Sequence, residues 1–533
     1  MHSVTDDRDS RPAWFVPSVA DLVFLAVLLA ALRLGRTALL NDPGTPWHIR
    51  VGELVWQSGP PHEDQFSFTR AGEPWISQAW LCDAALAVIY ERWSWSGLVT
   101  AAALVLAWTY RTLFRTVLAS GANVAWAAGL TLLAAGCGAA HWLVRSHLLS
   151  LLLFLLTWNW CLQYHRNGRR GIWAIPLVVV LWCNVHGGFL AGLIVVGCSL
   201  VGEAITAARA AASRRRVLGC ASVLVFACLA TLVNPYGWKL HEHLRAILFS
   251  SHIRDLIDEW RSPDFQAADS RPLEAMLLLS LILLATGRRR LTLFSLLHLV
   301  VWLHFGLQAI RQVALAAIVA APVLGELTPE FGASLRDQIG RLGSGRWLDS
   351  LARRANEWTA EERAARWPIW STVISILLAA ATVLRLSVPA LGIGAARLSE
   401  VRWPIRAVEE LNRHPGTGPV FNDLNWGGYL ILQSDPPRLV FVDDRFELYG
   451  REFLVAYLDA LQYGPAWHAL AARHQFEFVL VRPGLPLERL LRESSDWETL
   501  HADDTAVLLH RRMVPRLAAA DRDSRGGSAG FAD

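Results

Sequence analysis

The residues best suited to chemistry lie in a long polar stretch after the first apolar block. This stretch reads LNDPGTPWHIRVGELVWQSGPPHEDQFSFTRAGEPWISQAWL and places Asp42 directly after that block. His48, Arg50 and Glu53 follow within one or two helical turns, and Asp64 comes further along. A carboxylate or imidazole can accept a proton, and an arginine can bind a phosphate. Such a long loop without strand periodicity is typical of a functional segment, although Asp42 and Asp64 are equally suited to cap short helices.

A second set of polar residues lies at the predicted ends of later apolar blocks. Ionisable side chains at such positions are candidates for function, and for each one the alternative is an interfacial anchor or a hydrogen bond between helices. Their location on one side of the predicted membrane domain favours a shared site. The members of this set are Arg145, His147, Asn184, His186, Lys239, His241, His243, Glu259, Trp260 and Arg311.

Motifs of soluble enzymes are missing from the sequence. It holds no P-loop, HExxH, GxSxG or paired Cys/His zinc spacing. Six of the seven cysteines lie inside apolar segments, which favours small buried side chains over a disulfide framework. His241 and His243 are two residues apart and diverge on a helix, so they do not share a metal there. The sequence therefore predicts no metal site, with the convergence of His186, His241 and His243 in the folded chain left as an open alternative.

Apolar helices must position these residues. The chain has 533 residues, of which 53% are hydrophobic and 18% are charged, against about 25% charged residues in ordinary soluble domains. Several apolar blocks approach the ~20 residues needed to cross a bilayer. This pattern predicts a polytopic α-helical membrane protein with about eleven spans and gives no indication of nucleic-acid binding. The blocks cover 18–38, 97–116, 122–140, 146–164, 171–185, 187–208, 216–233, 272–286, 290–304, 308–325 and 367–388.

Arginines between the blocks predict the orientation. With residues 1–17 in the cytoplasm, the arginine clusters and the amphipathic segment 326–366 fall inside, as the positive-inside rule requires. Loop 39–96 and everything after the membrane domain 18–388 then fall outside. This holds if segment 79–92, AWLCDAALAVIYER, lies on the outer surface; if it crosses, every later cluster moves outside. The inner clusters are Arg111 and Arg115, Arg166 to Arg170, Arg209 to Arg216 and Arg288 to Arg290.

The C-terminal part changes character. The β-like runs GPVFND, RLVFVDD, FEFVLVR and TAVLLHR alternate with helical stretches, which predicts a small extracytoplasmic α/β domain over 395–514. Residues 515–533 are rich in Asp, Arg, Gly and Ser, a composition typical of disorder. Polar residues after the runs suit either a ligand site or, as we favour, ordinary turns. They are Asn422, Asp423, Asp443, Asp444 and Arg445.

This order of elements resembles the GT-C superfamily of membrane glycosyltransferases. A span is followed by an outer loop that opens with an acidic residue, here Asp42, then by surface helices and a span that ends at basic residues. The Pro-Pro pair that many members carry before the last surface helix is absent, and Gln78 and Ala79 stand there instead. Further similarity lies in VRSHLLS, LWCNVHGGFLAGL, LQAIRQVALAAIVAAPVLG, WGGYLI and VFVDDRFELYG.

The resemblance implies transfer of a sugar from a polyprenyl-phosphate donor to a glycan, lipid or protein acceptor outside the cytoplasm, in the inner membrane of a bacterium. It makes Asp42 the candidate general base, with His48 and Glu53 as further catalytic residues. Cations near span ends would stabilise the phosphate leaving group. The need for a divalent cation, Mg²⁺ or Mn²⁺, stays open. The predicted substrate and phosphate ligands are Arg50, Asp64, Arg145, His186, Lys239, His241, Arg245 and Arg311.

Two other functions fit a polytopic chain. A transporter or flippase of a lipid-linked or polar substrate often shows paired repeats and broken spans around a site at mid-membrane. The sequence has no internal repeat, and its polar residues gather at one face, so this function ranks second. The other alternative is a non-catalytic assembly protein whose C-terminal domain binds a partner.

Overall fold

The computed structural model describes residues 16–35, 38–209, 214–286, 290–341, 345–365 and 367–512. The predicted N-terminal segment 1–17 lies almost wholly outside these residues, and the predicted disordered tail 515–533 lies wholly outside them. The described residues are mostly helical with a small C-terminal sheet, which confirms this part of the predicted class. The helices are α1 Val19–Leu34, α2 Gly44–Ser58, α3 Trp80–Ala119, α4 Val124–Gly138, α5 His147–Asn167, α6 Ile175–Val185, α7 Phe189–Arg209, α8 Arg214–Ala230, α9 Lys239–Leu248, α10 Ser251–Leu256, α11 Arg271–Thr286, α12 Leu293–Gln308, α13 Val313–Gly325, α14 Thr328–Arg341, α15 Gly345–Ala364, α16 Ile369–Val383, α17 Ile405–Arg413, α18 Gly427–Gln433, α19 Phe446–Leu461, α20 Pro465–His474 and α21 Pro486–Glu493.

Each of the eleven predicted apolar blocks overlaps one of these helices. Within the part of the chain that the structure describes, α3, α7 and α4 with its extension to His141 are long and apolar enough to cross a membrane. Two helix pairs bent by 53° and 62° bring that number to five if each pair forms one span. The count of about eleven spans therefore stays a prediction.

Large apolar side chains face outward from several of the shorter helices. Leu177 on α6 is 75% exposed, Leu281 on α11 is 65% exposed and Leu377 on α16 is 64% exposed. Soluble monomers rarely expose extensive apolar patches because water disfavours them. A lipid environment removes this cost, so the outward faces agree with a membrane-embedded protein.

Helix α3 consists of two parts that meet at a bend. Ser94 has φ 52° and ψ −154°, outside the helical region, so a helix covering the segment 79–92 ends before the apolar part begins. The first part packs closely against α2. Gly52 makes this contact possible, because a Cβ there would lie 1.9 Å from the carbonyl oxygen of Asp83. The predicted helix in this segment is present; its depth relative to the membrane stays a prediction.

The C-terminal sheet has four short strands, β1 Val420–Asn422, β2 Phe478–Val481, β3 Trp497–Ala502 and β4 Val507–Arg511, in the order β1-β2-β4-β3. β1 pairs parallel to β2, and the other two pairings are antiparallel. Three of the four predicted runs form strands. The run RLVFVDD instead contributes a single bridge, because its backbone pairs with the first loop rather than with the sheet.

That bridge joins the first loop to the C-terminal domain. The N–H of Phe68 donates to the carbonyl of Val440 at 3.1 Å, and the N–H of Val440 donates to the carbonyl of Phe66 at 2.9 Å. Buried apolar residues of the membrane helices, the first loop and one side of the C-terminal domain form one continuous core. The two regions that carry most of the predicted site residues are therefore held together.

Candidate active site

Asp42 lies in the short connection between α1 and α2 and is 1% exposed. Its Oδ1 atom accepts a hydrogen bond from Nη1 of Arg145 at 3.2 Å. The hydroxyl of Thr45 lies 3.0 Å from Oδ2 of Asp42 and 2.6 Å from the carbonyl oxygen of Val144, so it donates to one of them at a time. The structure thus places Asp42 against the connection between α4 and α5, where the sequence puts Arg145.

Arg145 is surrounded by negative charge. Burial disfavours its charge, but Asp42, Glu259, Asp444 and Glu447 together hold the pKa of Arg145 above its ordinary value. Its side chain is still 30% exposed, so part of the guanidinium can meet a ligand. A permanently charged, partly open guanidinium suits a phosphate oxygen.

Arg311 adds a second cation to the same region. It lies in the turn between α12 and α13, and its guanidinium carbon is 4.5 Å from the centre of the Trp260 ring. The N–H of Ile310 donates to the carbonyl of Arg261 at 2.9 Å and fixes that turn beside Glu259. Burial raises the pKa of Glu259, but Arg145, His141 and Arg311 outweigh it and lower that pKa. Glu259 is therefore an anion between two arginines.

His186 ends α6 and belongs to the same cluster. Its Nδ1 accepts the N–H of Gly188 at 3.0 Å and lies 2.8 Å from the hydroxyl of Ser150. Burial lowers the pKa of His186 well below its ordinary value, and the neighbouring His147, Arg311 and Arg145 lower it further. Because Nδ1 accepts the N–H of Gly188, the neutral ring carries its proton on Nε2, where it can donate a hydrogen bond.

His48 points to the opposite side of α2 from the two charged residues that follow it. Its Nδ1 is 2.7 Å from Oδ1 of Asp83, and Oδ2 of Asp83 accepts from Ser77 at 2.5 Å. The Trp47 ring stacks on the imidazole with 3.7 Å between centres. Arg50 and Glu53 instead pair with each other at 2.6 Å, with each side chain 33% exposed.

The predicted residues of the loop after α8 lie outside the cluster. Lys239 and Arg245 are exposed on α9. The Nε2 atom of His241 is 2.9 Å from the hydroxyl of Thr231, and its ring stacks on Trp238. Their assignment to the substrate site stays a prediction, whereas Asp42, Arg145, His186 and Arg311 are brought together.

Asp64 takes part in a second, fully buried ionic cluster. Nη1 of Arg445 donates to Oδ1 of Asp64 at 2.7 Å, and Nε and Nη2 of Arg445 donate to the two oxygens of Asp443 at 2.9 and 2.6 Å. The hydroxyl of Tyr449 donates to Oδ2 of Asp443 at 3.1 Å. The Trp75 ring centre lies 4.7 Å from the guanidinium carbon. We call Asp64, Asp443, Arg445 and Tyr449 the clasp, because they lock the first loop to the C-terminal domain.

Asp444, between two members of the clasp, faces Asp42. Its Oδ1 accepts from Nε1 of Trp47 at 2.6 Å. Its Oδ2 and the Oδ2 of Asp42 lie 3.0 and 3.3 Å from the point where a Cβ would stand on Gly44. Burial raises the pKa of Asp444 to about 7; Arg145 opposes this shift, and Asp42 and Asp443 add to it. The sequence around Asp444 favours an ordinary turn, and its motif VFVDDRFELYG is the signal that distinguishes it.

Two groups of side chains offer metal ligands. Asp42 and Asp444 present carboxylate oxygens, which Mg²⁺ and Mn²⁺ prefer, close to the point where a Cβ would stand on Gly44. On the C-terminal sheet, His414, Glu477 and His510 bring potential ligand atoms within 4.8 Å of one another. There the N–H of Gly416 donates to Nδ1 of His414, so that ring must give up this bond before it can ligate.

A surface cavity of about 510 Å³ opens beside this site. Asn41 and Pro43, the two neighbours of Asp42, form part of its wall, and the other side belongs to the C-terminal domain. It combines aromatic and polar surfaces, as sugar-binding clefts do. The residues that the domain side contributes include Arg402, Trp403, Asn425, Trp426 and Arg482.

Comparison with known proteins gives a likeness in structure alone. No family model matches the sequence, and no curated protein matches it. The archaeal oligosaccharyltransferase AglB from Archaeoglobus fulgidus, solved with an inhibitory peptide and a dolichol-phosphate, aligns over 87% of this chain and 69% of its own with a TM-score of 0.51 and 11% identity. ArnT from Cupriavidus metallidurans bound to undecaprenyl phosphate aligns over 92% and 97% with a TM-score of 0.49 and 14% identity. The likeness to AglB shows that the chain shares the fold of that structure.

Proposed function

We propose that this protein transfers a sugar from a polyprenyl-phosphate donor to a hydroxyl group of an acceptor. The observation that carries the proposal is the contact between the buried carboxylate of Asp42 and the partly open guanidinium of Arg145, with Arg311 nearby. Such a transfer needs a carboxylate for the acceptor hydroxyl and cations for the phosphate that leaves. The dolichol-phosphate in the AglB structure supports this class of donor.

The two arginines would bind the phosphate of the donor. Arg145 and Arg311 lie in different connections between helices, and both interact electrostatically with Glu259. A phosphate bound between the two arginines would replace part of their interaction with Glu259. Negative charge on the phosphate increases as the sugar departs, and fixed cations in a site with little water stabilise that charge strongly. The neutral His186 can add a hydrogen bond from Nε2.

The acceptor would approach from the side of the C-terminal domain. The cavity beside Asn41 and Pro43 leads to the peptide segment that carries Asp42, and its mixed aromatic and polar wall suits a polyhydroxylated molecule. The acceptor hydroxyl gives its proton to a carboxylate at the site, for which Asp42 and Asp444 are the candidates. A Mg²⁺ or Mn²⁺ ion held by the same carboxylates would add positive charge there.

The site lies on the outer face of a bacterial cytoplasmic membrane in this proposal. The arginine clusters support this orientation, because they fall on the opposite side from Asp42 if the segment 79–92 stays at the surface. Polyprenyl-linked sugars would then meet their acceptor outside the cell. Labelling of single cysteines placed near 326–366 and near Asp504, with a reagent that does not cross membranes, tests this orientation.

The test uses the full chain in nanodiscs with a panel of radiolabelled polyprenyl-phosphate sugars. We expect release of polyprenyl phosphate that depends on an added acceptor extract. Removal of one donor of a charge-stabilising site typically costs ~100- to 1,000-fold in kcat, so Arg145→Ala and Arg311→Ala should each slow the reaction by about that factor. Arg413→Ala, a change at an exposed arginine of the C-terminal domain, is the matched control and should leave the rate unchanged. No consumption of any donor by the wild-type protein would refute the proposal.

A further inference from the structure

Three potential metal ligands from separate elements meet at the C-terminal sheet. His414 directly follows α17, Glu477 directly precedes β2, and His510 lies in β4. Their ligand atoms lie within 4.8 Å of one another, and Nε2 of His510 is 3.6 Å from Oε1 of Glu477. Two imidazoles and a carboxylate form a ligand set that suits Zn²⁺. We call these three residues the histidine site.

The strand register fixes the orientation of His510. This residue lies opposite Glu498 on β3 and opposite Phe478 on β2. Oε1 of Glu498 is 2.8 Å from Nδ1 of His510. A carboxylate accepts hydrogen bonds, so Nδ1 carries the proton, and the neutral ring keeps a lone pair on Nε2, beside Glu477. A metal-bound imidazole typically donates its other N–H to a carboxylate in this way, which orients the ring and strengthens the ligand.

Two glycines make room for the carboxylate of Glu477. A Cβ on Gly416 would lie 2.1 Å from Oε1 of Glu477, and a Cβ on Gly418 would lie 2.2 Å from its Oε2. The N–H of Gly418 donates to Oε2 at 2.5 Å. Arg438 holds the same loop, because its Nη2 donates to the carbonyl of Gly416. The loop after α17 thus binds one oxygen of Glu477, and the other oxygen lies beside His510.

A tetrahedral metal ion fits between these atoms after a small movement. Zn²⁺ binds nitrogen and oxygen ligands at ~2.0–2.1 Å, so two ligand atoms of a tetrahedral ion lie ~3.3 Å apart. The separation of 3.6 Å between His510 and Glu477 is close to this value. His414 must move closer and give up the hydrogen bond from the N–H of Gly416. One hydrogen bond is lost, and three bonds to the metal form.

We propose that the histidine site binds a Zn²⁺ ion, which links the end of α17 to the C-terminal sheet. Imidazole nitrogen favours Zn²⁺ over Mg²⁺ and Ca²⁺, which prefer oxygen. The side chains of His510 and Glu477 are 12% and 22% exposed, so a water molecule can occupy the fourth position. The segment before α17 contains Arg402 and Trp403, which line the cavity beside Asp42. The ion therefore stabilises the helix that follows this part of the cavity wall.

The experiment uses the full chain in nanodiscs, purified without a polyhistidine tag and stripped of metal with a chelator. Zn²⁺ binding is measured by equilibrium dialysis in excess Mg²⁺, which competes for sites made of oxygen ligands. The variants are His414→Gln, His510→Gln and Glu498→Gln. His468→Gln, a change at an exposed histidine of α20, is the matched control. Thermal unfolding without Zn²⁺ reports whether each variant is folded.

We expect the wild type and His468→Gln to bind one more Zn²⁺ per chain than His414→Gln and His510→Gln. Glu498→Gln should keep the stoichiometry of the wild type but bind Zn²⁺ ~10- to 100-fold more weakly, as is usual when the hydrogen-bond partner of a metal-bound histidine is changed. Zn²⁺ should raise the melting temperature of the wild type, because a ligand of the folded state stabilises it. The same addition should leave the melting temperature of His510→Gln unchanged.

Three results would overturn the proposal. The first is a wild-type protein that binds no Zn²⁺. The second is equal Zn²⁺ binding by the wild type and by folded His414→Gln and His510→Gln, which would place the ion elsewhere. If both histidine variants fail to fold, Glu498→Gln decides, and an unchanged affinity in that variant is the third. None of these measurements uses a sugar donor, so the outcome is independent of the proposed glycosyl transfer.

Discussion

Two clusters of aspartate and arginine in this protein differ in how completely they are paired. In the clasp, Arg445 binds Asp64 and Asp443 with three nitrogens, and the ionised side chains are 0 to 1% exposed. In the candidate site, Arg145 makes one contact with Asp42 and keeps 30% of its side chain exposed. The clasp leaves no group for a ligand, whereas the site does.

The degree of pairing distinguishes charged residues that stabilise the fold from charged residues that can bind a ligand. Residue type alone does not make this distinction. A buried ion pair with every hydrogen bond satisfied loses much if one partner is removed, because the other charge is then left without water or counter-charge. A cation that keeps part of its surface open has a free position for a substrate oxygen. Changes in stability and changes in rate therefore distinguish the two kinds of charge.

The largest effect should come from Arg445→Met, which keeps the apolar length of the side chain but removes its charge. Asp64 and Asp443 would remain buried without a partner, a change that typically costs ~3–5 kcal/mol. We expect a strongly lowered melting temperature and poor yield of folded protein. Arg451→Met, on the exposed face of α19, is the control. A melting temperature equal to that of the wild type would show that the clasp does not hold the two regions together.

Arg145→Lys should have the opposite profile. The charge next to Asp42 is kept, so the melting temperature should stay within about 2 °C of the wild type. A lysine cannot reproduce the planar two-pronged contact of a guanidinium with phosphate, and we expect turnover to fall by ~10- to 100-fold, with 1.4 kcal/mol for each factor of ten. Turnover and thermal unfolding in the same nanodiscs check this. A large loss of stability with unchanged turnover would place Arg145 with the structural charges.

Apolar periodicity was sufficient to predict most of the fold. The eleven blocks, the helix before the bend at Ser94 and three of the four C-terminal strand runs follow from local composition. The strand β3, WETLHA, has too few apolar residues to be predicted from its own sequence. It forms because it pairs with β4. The run RLVFVDD has the composition of a strand, but its backbone pairs with the first loop at Phe66 and Phe68.

The candidate site was predictable only in part, for a similar reason. Asp42, Arg145, His186 and Arg311 carry a local signal, which is an ionisable residue at the end of an apolar helix. Asp444 carries only the weak signal of its motif VFVDDRFELYG, because its turn-like context is common and its approach to Trp47 spans 397 residues of sequence. Arg50 looks equivalent to His48 in the sequence, but in the structure it pairs with Glu53, and its role in the site stays a prediction.

A smaller effect should distinguish Asp444 by its dependence on pH. Its ordinary pKa is 3.8, and the folded protein raises it to about 7, so the unfolded chain releases the proton first. The carboxylate therefore lowers stability progressively as the pH rises from about 4 to about 7. Asp444→Asn should be more stable than the wild type at pH 8 by on the order of 1 kcal/mol, and the difference should vanish near pH 4. Melting temperatures at the two pH values test this, and a difference that is largest at pH 4 would contradict it.

The smallest effect is expected at the pair formed by Arg50 and Glu53. Both side chains are 33% exposed and three residues apart on α2, and pairs of this kind contribute ~0.2–0.5 kcal/mol. Arg50→Ala with Glu53→Ala should leave the melting temperature and turnover almost unchanged. High salt should have as little influence, because the contact is already screened. A fall in turnover of more than about fivefold, with the melting temperature preserved, would mean that this face of α2 meets the substrate. The predicted role of Arg50 would then be correct, and the site would extend around the helix from Asp42.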